Sequence, residues 1–310
     1  MYGFITNTLG PVLVLLLMGY FLFRRGMLNE KFIEAGSKLV FNLALPALLF
    51  LSIAQADFHS AANGKLILVG LLGTLGYFAL LMAFCQALVT PSNARGVVVQ
   101  GGFRANMGII GLAYCANTYG TEGLATASVY LGGVTILFNV LSVFVLNFYL
   151  DVQRSVLQHL LGITTNPLII AILLALPISY LQLQLPTLVQ ATGEYFAQLT
   201  LPLALICTGA SLQFRAFGIN RKNISIAVIS KCLVYPMVLV GAAYLLNFRG
   251  MELGVILLLS IAPTAAASYV MARSLGGDPS LAASIIAVTT LVSLPVTALA
   301  FSVLSELALL

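Results

Sequence analysis

Gly101-Gly102-Phe103-Arg104-Ala105-Asn106-Met107-Gly108 lies inside an otherwise apolar run that extends from about Val97 to Tyr119. A charge at that depth of a lipid-facing helix costs roughly 2.5–3.5 kcal/mol on insertion scales. Each glycine weakens a helix by about 1 kcal/mol relative to alanine. A span that keeps both features needs a local reason for them, and the reading that follows is of a helix broken in mid-membrane around Arg104 and Asn106.

Composition sets the frame for that reading. Of 310 residues, 60% are hydrophobic and only 7% charged, where a soluble domain carries about 25% charged residues. The chain therefore reads as an all-α polytopic membrane protein, with the lipid bilayer as its first partner. The net charge of +5 does not point to nucleic acid, because the basic residues are spread over short loops without interleaved aromatics. Cys85, Cys115, Cys207 and Cys232 all fall in apolar spans without metal or redox spacing, so neither a metal nor a cofactor is expected. The first charges, Arg24 and Arg25, follow the opening apolar run, which argues against a cleavable leader.

A span needs about 20 apolar residues to cross about 30 Å of hydrocarbon. That ruler gives ten, at roughly 3–23, 37–56, 65–88, 95–119, 122–148, 166–183, 189–212, 222–246, 252–273 and 279–304. The segment 26–35 is amphipathic and is expected at the interface before span 2. Connections after odd-numbered spans hold Arg24, Arg25, Lys31, Lys38, Arg95, Arg154, Arg215, Arg221, Lys222 and Arg273. Those after even-numbered spans hold only Lys65 and Arg249. Basic residues stay cytoplasmic, so both termini are expected outside a plasma membrane, in bacteria the inner membrane.

An internal repeat comes next. Pro11 and Pro167, Pro46 and Pro202, Phe58 and Phe214, and Lys65 and Arg221 all stand 156 residues apart. The expected organisation is a first five-helix repeat over 1–150, a connecting loop at 151–165, and a second repeat over 166–310, all in one membrane domain. Five is odd, so the second copy enters from the opposite side, an inverted repeat of the kind secondary transporters use. The repeat pairs span 4 with span 9, where Ile261-Ala262-Pro263-Thr264-Ala265 forms the second mid-membrane break. At 1.5 Å per residue, Arg104, Asn106, Pro263 and Lys231 all lie about 13–16 Å from the nearest cytoplasmic basic residue, close to one depth. Pro263 removes a backbone donor, and Gly101, Gly102 and Gly108 permit unwinding. Half-helices starting near 107 and 264 would then aim N–H groups and positive dipole ends at the centre, a geometry suited to an anion.

In this order the residues resemble the auxin efflux carrier family of membrane transporters, especially its bacterial members, some of which carry malonate or related organic acids. The resemblance covers essentially the whole chain. It rests on Phe41-Asn42-Leu-Ala-Leu-Pro46, Arg104-Ala-Asn106-Met-Gly108 leading to Tyr119-Gly120, Lys231 before Pro236, Ala262-Pro263 through Tyr269, and Thr289-Thr290-Leu-Val-Ser293. It implies a bile-acid-symporter-like fold in which broken spans 4 and 9 cross, and one grouping of helices moves against another. It also implies a carboxylate substrate bound near the crossing, and a homodimer as in relatives, for which no residue here speaks.

Arg104 then reads as the carboxylate ligand, by its permanent charge and fork of donors; the alternative is a structural arginine satisfying carbonyls freed by the break. Lys231 reads as a second positive charge, a proton-coupling group or a tether for those carbonyls. Asn106 and Thr264 offer hydrogen bonds to substrate at the crossing, and Pro263, counted with them and Lys231 among the substrate-binding residues, shapes it. Asn42, Pro46, Gln55, Gly108, Tyr269, Thr289 and Ser293 are candidate cavity-lining residues, while Asn139 reads as polar glue between helices. His59 and His159 fall in loops. No acid falls near mid-membrane, which leans against sodium coupling. The favoured function is an alternating-access carrier of a small organic anion. A channel or a non-transporting sensor on the same fold is the competing reading. An intramembrane enzyme is disfavoured, since Asp57 and Asp278 fall on opposite faces and no GxSxG, HExxH or phosphate-cradling motif occurs.

Overall fold

Proline placement explains the first irregularities of the backbone. In the computed structural model, which describes residues 4–55, 64–150, 167–212 and 220–310, three wide π-turns each stop just before a helix with proline at its second position. Ile5–Leu9 precedes α1 (Gly10–Arg24, with Pro11), Val40–Ala44 precedes α3 (Leu45–Ala54, with Pro46), and Ser230–Val234 precedes α10 (Tyr235–Leu245, with Pro236). Proline cannot donate to the carbonyl four residues back, and its ring crowds that carbonyl. The preceding turn widens, so that Leu45 N–H bonds Val40 O and Tyr235 N–H bonds Ser230 O, each five residues back.

The remaining helices are α2 (Glu30–Leu39), α4 (Gly64–Leu88), α5 (Arg95–Phe103), α6 (Leu112–Leu150), α7 (Pro167–Tyr180), α8 (Thr187–Ala210), α9 (Arg221–Ile229), α11 (Gly250–Ile261), α12 (Ala267–Leu275) and α13 (Pro279–Glu306). Among the described residues, six helical stretches are long and apolar enough to cross a membrane: Thr6–Arg24, Glu30–Ala54, Gly64–Leu88, Met107–Leu150, Arg221–Leu245 and Pro279–Glu306. Ile170–Tyr180 and Gly250–Ile261 are shorter apolar helices. The molecule is thus an all-helical, multi-pass membrane protein. The amphipathic segment before span 2 is continuous with it, because α2 runs through the π-turn into α3. Asn29 caps α2, accepting from Phe32 N–H at 2.9 Å. Within α6, Gly120 has φ 63 and ψ −146, a conformation open essentially to glycine alone, and kinks the helix where the sequence places the end of span 4. Asp57, Phe58, His59, Asp151, Arg154, His159, Phe214, Arg215 and the loop 151–165 lie outside the described residues.

The chain forms two compact units. The first comprises residues 1–64, 108–133 and 161–211, and the second 65–107, 134–160 and 212–310. In the first, α1 and α8 cross at backbone contact: a Cβ on Gly19 would stand 2.1 Å from Ile206 O, and one on Gly209 2.0 Å from Leu16 O. Helices in lipid gain nothing from hydrophobicity against one another, so such contacts between small residues supply the packing. The π-turn before α1 is held to α6 by Asn117 Nδ2, which donates to Thr8 O at 3.2 Å.

In the second unit α5 is the hub, and every residue from Gly96 to Phe103 is buried. A Cβ on Gly96 would meet Val145 O at 3.1 Å, one on Gly101 would meet Ile285 Cγ2 at 2.8 Å, and one on Gly102 would meet Leu81 Cδ2 at 2.8 Å and Ser230 Cβ at 3.1 Å. This corrects the expected role of Gly101 and Gly102. Both are helical, and their missing side chains admit α13, α4 and the 230–234 turn to close range. Unwinding is confined to Arg104, Ala105 and Asn106.

Candidate anion site at two paired helix breaks

The second unit contains both breaks. Helix α5 ends as Arg104 N–H bonds Gln100 O, and Arg104 then turns extended, with φ −73 and ψ 93. Helix α11 ends at Ile261, where Ala262 is extended (φ −50, ψ 141) as the residue before a proline tends to be. The two extended stretches pair: Ala105 and Thr264 form an isolated antiparallel bridge. Asn106 N–H donates to Pro263 O at 2.7 Å, and Ala265 N–H donates to Arg104 O at 2.9 Å. Each break therefore satisfies backbone groups freed by the other, as the interior of a membrane requires.

Two side chains meet the carbonyls left at the helix ends. Thr264 Oγ1 donates to Gly101 O at 2.6 Å, while Thr264 N–H donates to Thr289 Oγ1 at 3.1 Å. Lys231, fully buried, donates from Nζ to Ser260 O in the last turn of α11, and its ammonium lies 5.0 Å from the centroid of the Tyr235 ring. Of the roles expected for Lys231, the tether is the one its geometry displays. A cation at a helix C-terminus also sits at the favourable end of the macrodipole. Removing a buried charge relieves desolvation, but here it also strips a buried carbonyl of its donor. With both the dipole end and the ring favouring the cation, the carbonyl loss dominates. Lys231→Met is expected to destabilise the protein by about 1–3 kcal/mol. The result would be a lower melting temperature in detergent and faster amide exchange across 261–265; an unchanged melting temperature would remove the tether from the account.

The helices resume just past the bridge. A π-turn opens at Met107, leading into α6, as expected from the sequence. The second half-helix starts at Ala267, three residues past Thr264, and is led in by a tight turn in which Ser268 N–H bonds Ala265 O.

Arg104 is 7% exposed, and its side chain turns away from the freed carbonyls that were its alternative role. Nη1 donates to Phe138 O at 3.1 Å and to Ser142 Oγ at 2.9 Å, and Nη2 donates to Asn139 Oδ1 at 2.7 Å. Three of the five N–H groups of a guanidinium are thus used. The Nε–H is buried and has no partner among the described residues, and Nη2 has a second hydrogen to give. Neither Arg104 nor Lys231 makes an ion pair among the described residues, although buried charges are ordinarily paired. Beside Arg104, the Phe103 ring is edge-on to Phe78 at 5.3 Å and to Phe138 at 5.6 Å.

Other polar groups stand unused nearby. Ser268, in the first turn of α12 and 2% exposed, has a buried Oγ with no partner among the described residues. Gln100, one turn before Arg104, donates to Met271 Sδ at 3.6 Å and leaves Oε1 buried and unpartnered. Asn106 is 6% exposed, and its backbone N–H is the group that holds Pro263 O. The structure thus brings together Arg104, Asn106, Pro263, Thr264 and Thr289, with Lys231 joined through Ser260. Ser293 is buried on α13 and bonds Thr290 O in its own helix, and Tyr269 is half-buried on α12. Asn42, Pro46, Gln55 and Gly108 belong to the first unit, Asn42 and Gln55 exposed, Pro46 and Gly108 half-buried. Ser142, Ser268 and Gln100 were missed. The signal that could have found them is a polar residue four before Arg104, two more 35–38 after it, and a serine at the start of the second half-helix.

Comparison with known proteins bears on what such a site serves. The profile of a family described as "Membrane transport protein" matches residues 4–159 and 150–301. A protein of Methanothermobacter thermautotrophicus named "Uncharacterized transporter" is 29% identical over 293 residues, covering 93% of this chain and 95% of its own length. "Uncharacterized transporter MJ1031" of Methanocaldococcus jannaschii is 27% identical over 296 residues, covering 93% and 95%. "Uncharacterized transporter YfdV" of Escherichia coli is 27% identical over 270 residues, covering 83% and 84%.

Proposed function

Because the chain belongs to the membrane transport protein family, the auxin efflux carriers, and is a multi-pass membrane transporter, we propose that its cargo is a small organic anion bound at the paired breaks. The observation that carries this reading is the buried Arg104, whose Nε–H has no partner and whose charge meets no carboxylate among the described residues. A carboxylate from outside the protein supplies the missing acceptor and the missing charge together, and arginine is the side chain suited to it. Ser268 Oγ, the Asn106 amide and the N-terminal turn of α12 provide further donors for the same anion. Pro263, Thr264 and Lys231 hold the breaks in shape, and Thr289 anchors Thr264.

The mechanism we infer is alternating access around the breaks. The inverted five-span repeats of 1–150 and 166–310, both termini outside and an inner-membrane location belong to the same proposal, supported by the proline spacing and the distribution of basic residues. An inside-negative potential favours outward movement of each negative charge by about 2.3 kcal/mol per 100 mV, so efflux needs no coupled ion. The test is counterflow in liposomes. Vesicles loaded with malonate or malate are expected to take up the labelled acid against its gradient, saturably and only when the interior holds substrate. Linear, unexchangeable flux would favour a pore, and absence of flux a sensor.

A further inference from the structure

We propose that Asn139 is the positioning residue that sets charge selectivity: it aims the Arg104 guanidinium with a neutral acceptor, so the cargo must bring the negative charge itself. The proposal rests on the reading that Arg104 meets the cargo.

A buried arginine is commonly fixed by a carboxylate. Here its three bonds all come from residues 138–142 of α6, and all three acceptors are neutral: a backbone carbonyl, a serine hydroxyl and a side-chain amide. The Phe138 carbonyl cannot be altered by a side chain, and Ser142 cannot carry charge at this position. Asn139 is the position where one atom decides the matter, since aspartate has almost the same shape and would accept from Nη2 equally well. Its amide oxygen must face Arg104, because the opposite rotation would set two donors against each other. An aspartate there would place a full negative charge at the 2.7 Å contact, closing the ion pair that the present sequence leaves open. The guanidinium would stay anchored, and its attraction for an incoming carboxylate would be lost. With asparagine, the site binds an ionised acid and refuses its uncharged amide.

The two roles open to Asn139, anchor and charge setter, predict opposite rankings of variants. The experiment uses the full chain in detergent, melted with malonate, malate or the neutral analogue malonamide, and then counterflow of the best diacid in liposomes. Wild type is expected to be stabilised by a diacid and not by malonamide. Asn139→Asp should melt at or above wild type without ligand, while its apparent Kd for the diacid weakens at least tenfold and its counterflow KM rises in step. Asn139→Ala should melt lower yet lose less affinity than Asn139→Asp. A purely structural anchor gives the reverse order, Asp near normal and Ala impaired. Asn139→Asp binding within twofold of wild type overturns the proposal. Should wild type ignore both diacids, or Arg104→Gln bind them normally, the parent reading falls and takes this one with it. Should Arg104→Gln abolish binding while Asn139→Asp does not, only the role of Asn139 falls.

Discussion

Arg104→Gln is expected to lower Vmax/KM for carboxylate counterflow by at least a hundredfold while leaving the protein folded. The glutamine amide can still donate towards Asn139 or Ser142, so the polar anchor on α6 is shortened but not orphaned. What disappears is the charge and the Nε–H that no group among the described residues uses. Hydrogen bonds to charged groups contribute about 1.5–3 kcal/mol each, and each 1.36 kcal/mol is about tenfold in rate, so two such bonds to a carboxylate correspond to roughly 10² to 10⁴. Arg104→Lys is the sharper comparison. Lysine keeps the charge, but three ammonium donors would be taken up by Phe138 O, Ser142 and Asn139, leaving none for cargo. It is therefore expected to fall much nearer to Gln than to wild type. Counterflow by Arg104→Gln at the wild-type rate, with a normal melting curve, would end the ligand role of this arginine. A variant as inactive but unfolded would be uninformative alone, which is why the melting curve accompanies the flux.

The breaks were legible in the sequence because each violates the rule of its surroundings. Arg104 and Asn106 are polar within an apolar span, and Pro263 removes a donor within another. Their pairing was legible only as a shared depth; that Asn106 N–H reaches Pro263 O and Ala265 N–H reaches Arg104 O depends on a fold that no local pattern encodes. The same limit explains Asn139. It lies 35 residues beyond Arg104 on an ordinary apolar helix, and nothing local distinguishes an amide that anchors an arginine from one that glues helices. Gly101 and Gly102 illustrate an ambiguity in the residue type. Glycine permits both a break and a close approach, and only the presence of Ile285, Leu81 and Ser230 shows that approach is the use made of them. Pro11 and Pro46 were read as repeat markers and Pro236 as part of a family motif, yet at all three the local effect is a widened turn, which before Pro236 carries Lys231.

The second large effect is expected far from any charge. Gly209→Leu should abolish recovery of monodisperse protein in mild detergent, and Gly209→Ala should lower the melting temperature substantially. A Cβ there would stand 2.0 Å from Leu16 O and 2.7 Å from Leu16 C, both backbone atoms, so no rotamer change can relieve the clash. On the facing helix, Gly19 is in the same position against Ile206 O, at 2.1 Å. Any side chain therefore forces α1 and α8 apart along the whole crossing, and the cost should reach or exceed the upper end of about 3 kcal/mol for overpacking. Helix propensity pulls the other way, favouring alanine over glycine by about 1 kcal/mol, and it is outweighed. Gly76 supplies the control. It lies exposed on α4, with open space where a Cβ would stand, so Gly76→Ala should leave the melting temperature unchanged or raise it. If Gly209→Ala and Gly76→Ala behaved alike, the crossing would not be the close contact described. If Gly209→Ala alone collapses, the first unit is held together by the absence of two side chains as much as by the presence of any others.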